Sequence, residues 1–92
     1  EDLAEGEPVQ IKEHHLDTNK QVNNGQFVRI AIDSLGRKCE VKQLRAEYKK
    51  QVMLGDVLVP YTAFLENGKY VTALKDKEGA LCCIVELTED NR

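Results

Sequence analysis

The chain has 92 residues, of which 41% are hydrophobic and 32% charged, and its formal net charge is −3. That length predicts one domain, the apolar share is too high for a disordered chain, and the acidic balance argues against nucleic-acid binding. No apolar run approaches the ~20 residues needed to span a bilayer, and the acidic stretch Glu1 to Glu7 carries no secretory signal.

Residues 1–8 contain Gly6 and Pro8 and are expected to be a linker or disordered terminus. Glu1 stands where an initiator Met is absent, which reads as a fragment boundary. Val9 to His15 alternates weakly and predicts a short strand. Leu16 to Asn24 is a polar loop. Asn23 then offers a side-chain oxygen to the open amides of a first helical turn, with Gln26 placed to bond back.

The helix is expected to run to about Leu35 and to close at Gly36. Phe27, Val28, Ile30, Ala31, Ile32 and Leu35 are apolar on more than one side, so the helix should be buried within a curved sheet or under a partner.

Strands account for the remainder. From Cys39 to Leu54, Leu44, Ala46, Tyr48, Val52 and Leu54 share one parity, while Gln43, Arg45, Glu47, Lys49 and Gln51 share the other. Gly55-Asp56 turns the chain into a strand over Val57 to Glu66. Asn67-Gly68 predicts a two-residue hairpin with both turn residues at positive φ. A strand over Lys69 to Asp76, a turn at Lys77-Glu78-Gly79 and a last strand over Ala80 to Thr88 complete the order. One helix on one sheet leaves a face or edge to be covered, and so small a domain is marginal alone. A partner is therefore expected.

Cys39, Cys82 and Cys83 show no metal spacing, and their odd number favours a reducing, cytoplasmic setting. Cys82 and Cys83 are expected on opposite faces of a strand. The same alternation separates His14 from His15, so no metal site and no cofactor are expected. His15 is read as a partly exposed strand residue that lies two positions before Asp17.

The informative segment is Leu16-Asp17-Thr18-Asn19-Lys20-Gln21-Val22-Asn23-Asn24-Gly25-Gln26-Phe27. A carboxylate and a carboxamide lie two apart in a loop that feeds a helix start. Open amides at such a start hold an oxyanion, and a carboxylate upstream can take a proton from water. This segment resembles the active-site pattern of acyl-ACP thioesterases, Leu-Asp-x-Asn-x-His-Val-Asn-Asn. Leu44 to Gln51, Leu54-Gly55-Asp56, Ala73-Leu74 and Ile84-Val85-Glu86 resemble later parts of the family, particularly its bacterial members.

The resemblance covers the chain from about Val9. It implies an α+β hot-dog fold over residues 9–92, with one long central helix wrapped by a curved antiparallel sheet. Family members carry two hot-dog domains in tandem, and this chain looks like the C-terminal one. The implied activity is hydrolysis of acyl-ACP to free fatty acid and ACP. The implied partners are acyl-ACP and a second hot-dog domain, in the same polypeptide or as a homodimer, with no nucleic acid and no membrane.

Asp17 and Asn19 match the family's catalytic Asp and Asn, while the catalytic His falls at Gln21, which cannot titrate. Asn23, Asn24 and Gly25 stand where substrate would meet the helix start. Gln51, also placed against substrate, occupies a second acidic position of some members, and Val52 a neighbouring Cys position. Arg45, Lys49 and Lys50 form a basic stretch suited to an acidic carrier protein. An acyl-CoA thioesterase and a weakly active or inactive acyl-carrier-binding module are the competing readings.

Overall fold

The structure is a computed structural model that describes residues 4–16, 22–35 and 40–89. Among the described residues six strands form one sheet: β1 (Ala4–Glu5), β2 (Val9–Gln10), β3 (Val41–Tyr48), β4 (Val57–Phe64), β5 (Lys69–Asp76) and β6 (Leu81–Glu89). Every pairing is antiparallel, in the order β1-β4-β5-β6-β3, with β2 also on β4. One helix, α1 (Asn24–Asp33), packs on one face of the sheet. No helix among the described residues is long and apolar enough to cross a membrane.

The alternating pattern of β4, β5 and β6 becomes the core. Leu58 and Pro60 of β4, Tyr70, Thr72 and Leu74 of β5 and Cys83, Val85 and Leu87 of β6 are buried. Phe27, Ile30 and Ala31 of α1 close on this layer together with Ile11, Val22 and Val52. Thr72 is the polar member, and its hydroxyl meets that of Thr62 at 3.2 Å. Val28, Ile32 and Leu35 are half-buried, so the helix covers the sheet with one side and keeps apolar surface on another.

Several expectations are corrected. Two residues expected in a linker begin the sheet instead: Ala4 and Glu5 pair with Thr62 and Tyr61. Gly6 makes this possible, since its N–H donates to the Pro60 carbonyl at 2.7 Å and a Cβ there would come within 3.0 Å of the Pro60 ring. The strand expected over Val9 to His15 stops at Gln10, and Glu13–His15 form a 3-10 turn. The Lys12 N–H donates to His15 Nδ1 at 2.9 Å, a local bond that competes with a sheet ladder. His15 is consequently buried rather than a half-exposed strand residue, and its ring lies 4.0 Å from that of His14.

The long central helix is shorter than expected, with ten residues. Ser34 caps it, its hydroxyl donating to the Ala31 carbonyl at 2.7 Å, and Leu35 closes a tighter turn on Ile32. Gly36, Cys39 and the nearby Arg37 and Lys38 lie outside the described residues.

β3 ends at Tyr48, because the N–H groups of Lys49 and Lys50 both turn to the Cys82 carbonyl. Leu54, expected on the apolar face, is 52% exposed in the turn that Gly55 makes at φ 90°. The Asn67-Gly68 hairpin is a three-residue turn, Glu66–Gly68, closed by Leu65 N–H to the Lys69 carbonyl at 2.8 Å, with Gly68 at φ 73°. Cys82 and Cys83 do not alternate in environment: the register shifts at Leu74/Lys75, Cys82 is the extra residue of a bulge, and both thiols are buried.

Candidate active site

Asn23 adopts extended backbone, and its Oδ1 accepts from the Gln26 N–H at 3.1 Å, so the expected N-cap is present. The cap satisfies an amide in the first turn. Among the described residues, no partner takes the N–H of Asn24 or Gly25, which open the helix. These exposed amides, at the positive end of the helix dipole, suit a developing negative charge.

Asp17, Asn19 and Gln21 lie outside the described residues. Their flanks are described. Leu16 and Val22 form an antiparallel bridge, and the Val22 N–H donates to the Val52 carbonyl at 3.1 Å. Val22 is buried and immediately precedes the Asn23 cap. Leu16 and Val22, the described residues on either side of positions 17–21, are thus paired with each other, and Val22 lies beside the start of α1.

His15 lies one residue before this bridge. Burial, then the neighbouring His14, pushes its pKa below the ordinary value. Since Nδ1 accepts the Lys12 amide, the proton of the neutral ring belongs on Nε2.

Gln51 is exposed and adjoins Val52, the residue that anchors Val22. It lines a cleft of about 160 Å³ with Lys50, Asp56, Asp76 and Cys82. That volume falls short of the roughly 300 Å³ at which small-molecule pockets begin, so this cleft does not house an acyl chain.

The basic stretch is charge-balanced. Lys49 Nζ lies 3.1 Å from Glu47, Lys50 Nζ lies 2.5 Å from Asp76, and Arg45 stands opposite Glu86 on β6. The bond to Asp76 raises the Lys50 pKa. Asp76 is held below the usual carboxylate range by Lys50, then by the amides of Ala80 and Glu78.

Tyr48 belongs to the site although its pattern marked it only as a core-facing strand residue. Its hydroxyl lies 3.5 Å from the Asn24 carbonyl, and its ring packs 5.7 Å from Phe27. The two residues are 24 positions apart, so only folding brings them together. Burial raises the pKa of this phenol, which keeps it protonated.

Residues 2–90 match the family described as "Acyl-ACP thioesterase C-terminal domain". Among curated proteins, none matches the sequence at a significant level. Similar solved structures include an acyl-ACP thioesterase from Bacteroides thetaiotaomicron (15% identity, TM-score 0.80, 91% of this chain and 36% of that chain). A 12:0-ACP thioesterase from Umbellularia californica is alike to the same degree (16% identity, TM-score 0.80, 98% of this chain and 35% of that one). The Staphylococcus aureus protein SAV2348, solved in complex with CoA, aligns at TM-score 0.83 and 16% identity over 97% of this chain and 75% of its own. These likenesses give the fold as hot-dog-like. The chain spans about a third of the two acyl-ACP thioesterases.

Proposed function

This chain belongs to the acyl-ACP thioesterase family, as a C-terminal domain, and on that premise we propose that it hydrolyses acyl-ACP at the N-terminus of α1, releasing free fatty acid and the ACP thiol. The observation that carries the reading is the Leu16–Val22 bridge, which sets the described flanks of the Asp17 segment at a helix start whose first amides have no partner among the described residues.

In this reading the thioester carbonyl takes hydrogen bonds from the N–H groups of Asn24 and Gly25, which strengthen as the oxygen becomes anionic. Asp17 accepts a proton from the attacking water, and Asn19 orients that water. Gln21 stands where the family has His and contributes hydrogen bonds without titrating. The Tyr48 hydroxyl borders the same carbonyl position. Collapse of the tetrahedral intermediate breaks the C–S bond, and the thiolate leaves as the thiol with the proton that Asp17 took from water, which restores the carboxylate. Arg45, Lys49 and Lys50 steer the acidic carrier, whose carboxylates must exchange with Glu47 and Asp76 at this patch. A second hot-dog unit, in the same polypeptide or as a homodimer partner, completes the site.

The competing reading, an acyl-CoA thioesterase, draws on the CoA-bound SAV2348 structure. Rates on acyl-ACP and on acyl-CoA of equal chain length discriminate the two, with the carrier-protein substrate expected to be faster. Asp17→Asn should lower the rate by about 10²–10⁴-fold, and Gln21→His should raise it. An unchanged rate in Asp17→Asn removes the general base from the proposal. Binding of acyl-ACP without turnover leaves the carrier-binding module as the function.

A further inference from the structure

The Gln26 N–H donates to the Asn23 carbonyl at 3.0 Å as well as to the Asn23 side chain, so residues 23–26 close a four-residue turn at the head of α1. The central peptide of that turn joins Asn24 to Gly25. Type I and type II turns share the closing bond and differ by a flip of the central peptide. The flip sends the third residue to positive φ, which Gly accepts at no steric cost. The Asn23 cap is thus compatible with either orientation. The difference matters to the site, because the Asn24 carbonyl and the Gly25 N–H belong to one amide and point in opposite directions. Gly25 holds a helical, negative φ, which turns its N–H outward from the helix start.

Two donors meet the Asn24 carbonyl. One is the N–H of Val28, four residues along the helix. The other comes from outside the helix: the Tyr48 hydroxyl, at 3.5 Å. Tyr48 is a fixed point of reference. Its backbone pairs with Cys83, the next two N–H groups bond the Cys82 carbonyl, and its ring packs on Phe27. Burial, then Cys83, raises the pKa of this phenol, so the hydroxyl keeps the proton it donates.

We propose that Tyr48 is a positioning residue for the hydrolysis, its hydroxyl holding the Asn24–Gly25 peptide with the Gly25 N–H toward the thioester oxygen. This inference rests on the hydrolase reading and adds to it the group that orients the oxyanion amide. The hydroxyl acts in two ways. A flip would break its bond, so it favours the unflipped turn. A donor on a peptide carbonyl also strengthens the N–H of the same amide. At 3.5 Å the bond is long for O–H···O, and it shortens as charge on the substrate oxygen polarises the shared peptide. The gain therefore falls in the transition state, where it raises kcat and leaves KM unchanged.

The test pairs Tyr48→Phe, which keeps the ring on Phe27, with Gly25→Ala, which disfavours the flipped turn by itself. A Cβ at position 25 meets Asn23 Oδ1 at 3.4 Å, an ordinary contact, so the methyl fits. Tyr48→Phe should lower kcat on acyl-ACP by about three- to tenfold with KM unchanged. In a Gly25→Ala background the same change should cost less than about twofold, since Ala avoids positive φ. By NMR of the isotopically labelled chain, the Asn24 carbonyl carbon and the Gly25 amide should shift together in Tyr48→Phe, while the Gln26 amide, held by Asn23, stays in place. An unchanged kcat in Tyr48→Phe, a rise in KM alone, or an equal loss in both backgrounds overturns the proposal and leaves the hydrolase reading standing. If the unaltered chain turns nothing over, the hydrolase reading falls by itself, and the resonances decide the hold on the peptide: coincident Asn24 and Gly25 signals in the two chains overturn it. If circular dichroism shows Gly25→Ala unfolded, the kcat of Tyr48→Phe and the resonances decide.

Discussion

β5 and β3 have equal length and the same alternating pattern, yet they meet opposite fates. Tyr70, Thr72 and Leu74 of β5 are 5%, 0% and 0% exposed, whereas Leu44 and Tyr48 of β3 are 41% and 42% exposed. Period-two alternation records which side chains share a face. It carries no information on whether another layer covers that face. β5 is flanked by strands and lies under α1, while β3 is flanked on one side only.

The largest expected contrast is in stability. Leu74→Ala should cost about 2–5 kcal/mol by urea denaturation, through lost burial and the cavity left behind. Leu44→Ala should cost under about 1 kcal/mol, because this side chain is already 41% exposed and leaves little cavity behind. Equal costs for the two variants would break the comparison.

Chemical reactivity sharpens it next. Burial, then the adjacent Cys82, pushes the Cys83 thiol up to about 11. At pH 8 the native chain should therefore resist alkylation at Cys83, while a Gln43→Cys thiol on β3 reacts quickly, as mass spectrometry of the labelled peptides would read.

A smaller effect is expected where the helix meets the site. Asn23→Ala removes the acceptor for Gln26 N–H and should cost about 1 kcal/mol in thermal unfolding. The smallest concerns pH. Asp76 has a lowered folded pKa, so its contribution is present above its ordinary value of 3.8 and is lost as pH falls through the lower folded value. Acid titration of stability should flatten in Asp76→Asn below about pH 4. An identical profile would show that Lys50 and the β5–β6 turn do not depend on this carboxylate.

Much of the fold was legible. The strand–helix–strand order, the Asn23 cap and the spans of β5 and β6 follow from alternation, capping chemistry and turn residues, all of which act over a few positions. The errors occurred where a distant group intervened. Pro60 received Gly6 and drew residues 4–5 into the sheet; the Cys82 carbonyl ended β3 by taking two amides; the bulge buried both thiols. Of the site, the helix start and its cap were legible, and Tyr48 was not, since its approach to Asn24 is a product of packing.

By itself the sequence determined the helix start, the spans of β5 and β6 and the family, because these rest on local spacing and on a motif read along the chain. Tertiary structure alone decided which apolar face was covered and which edge stayed open. Those outcomes depend on which strands become neighbours, and a strand's own residues do not encode the backbone groups left without a partner.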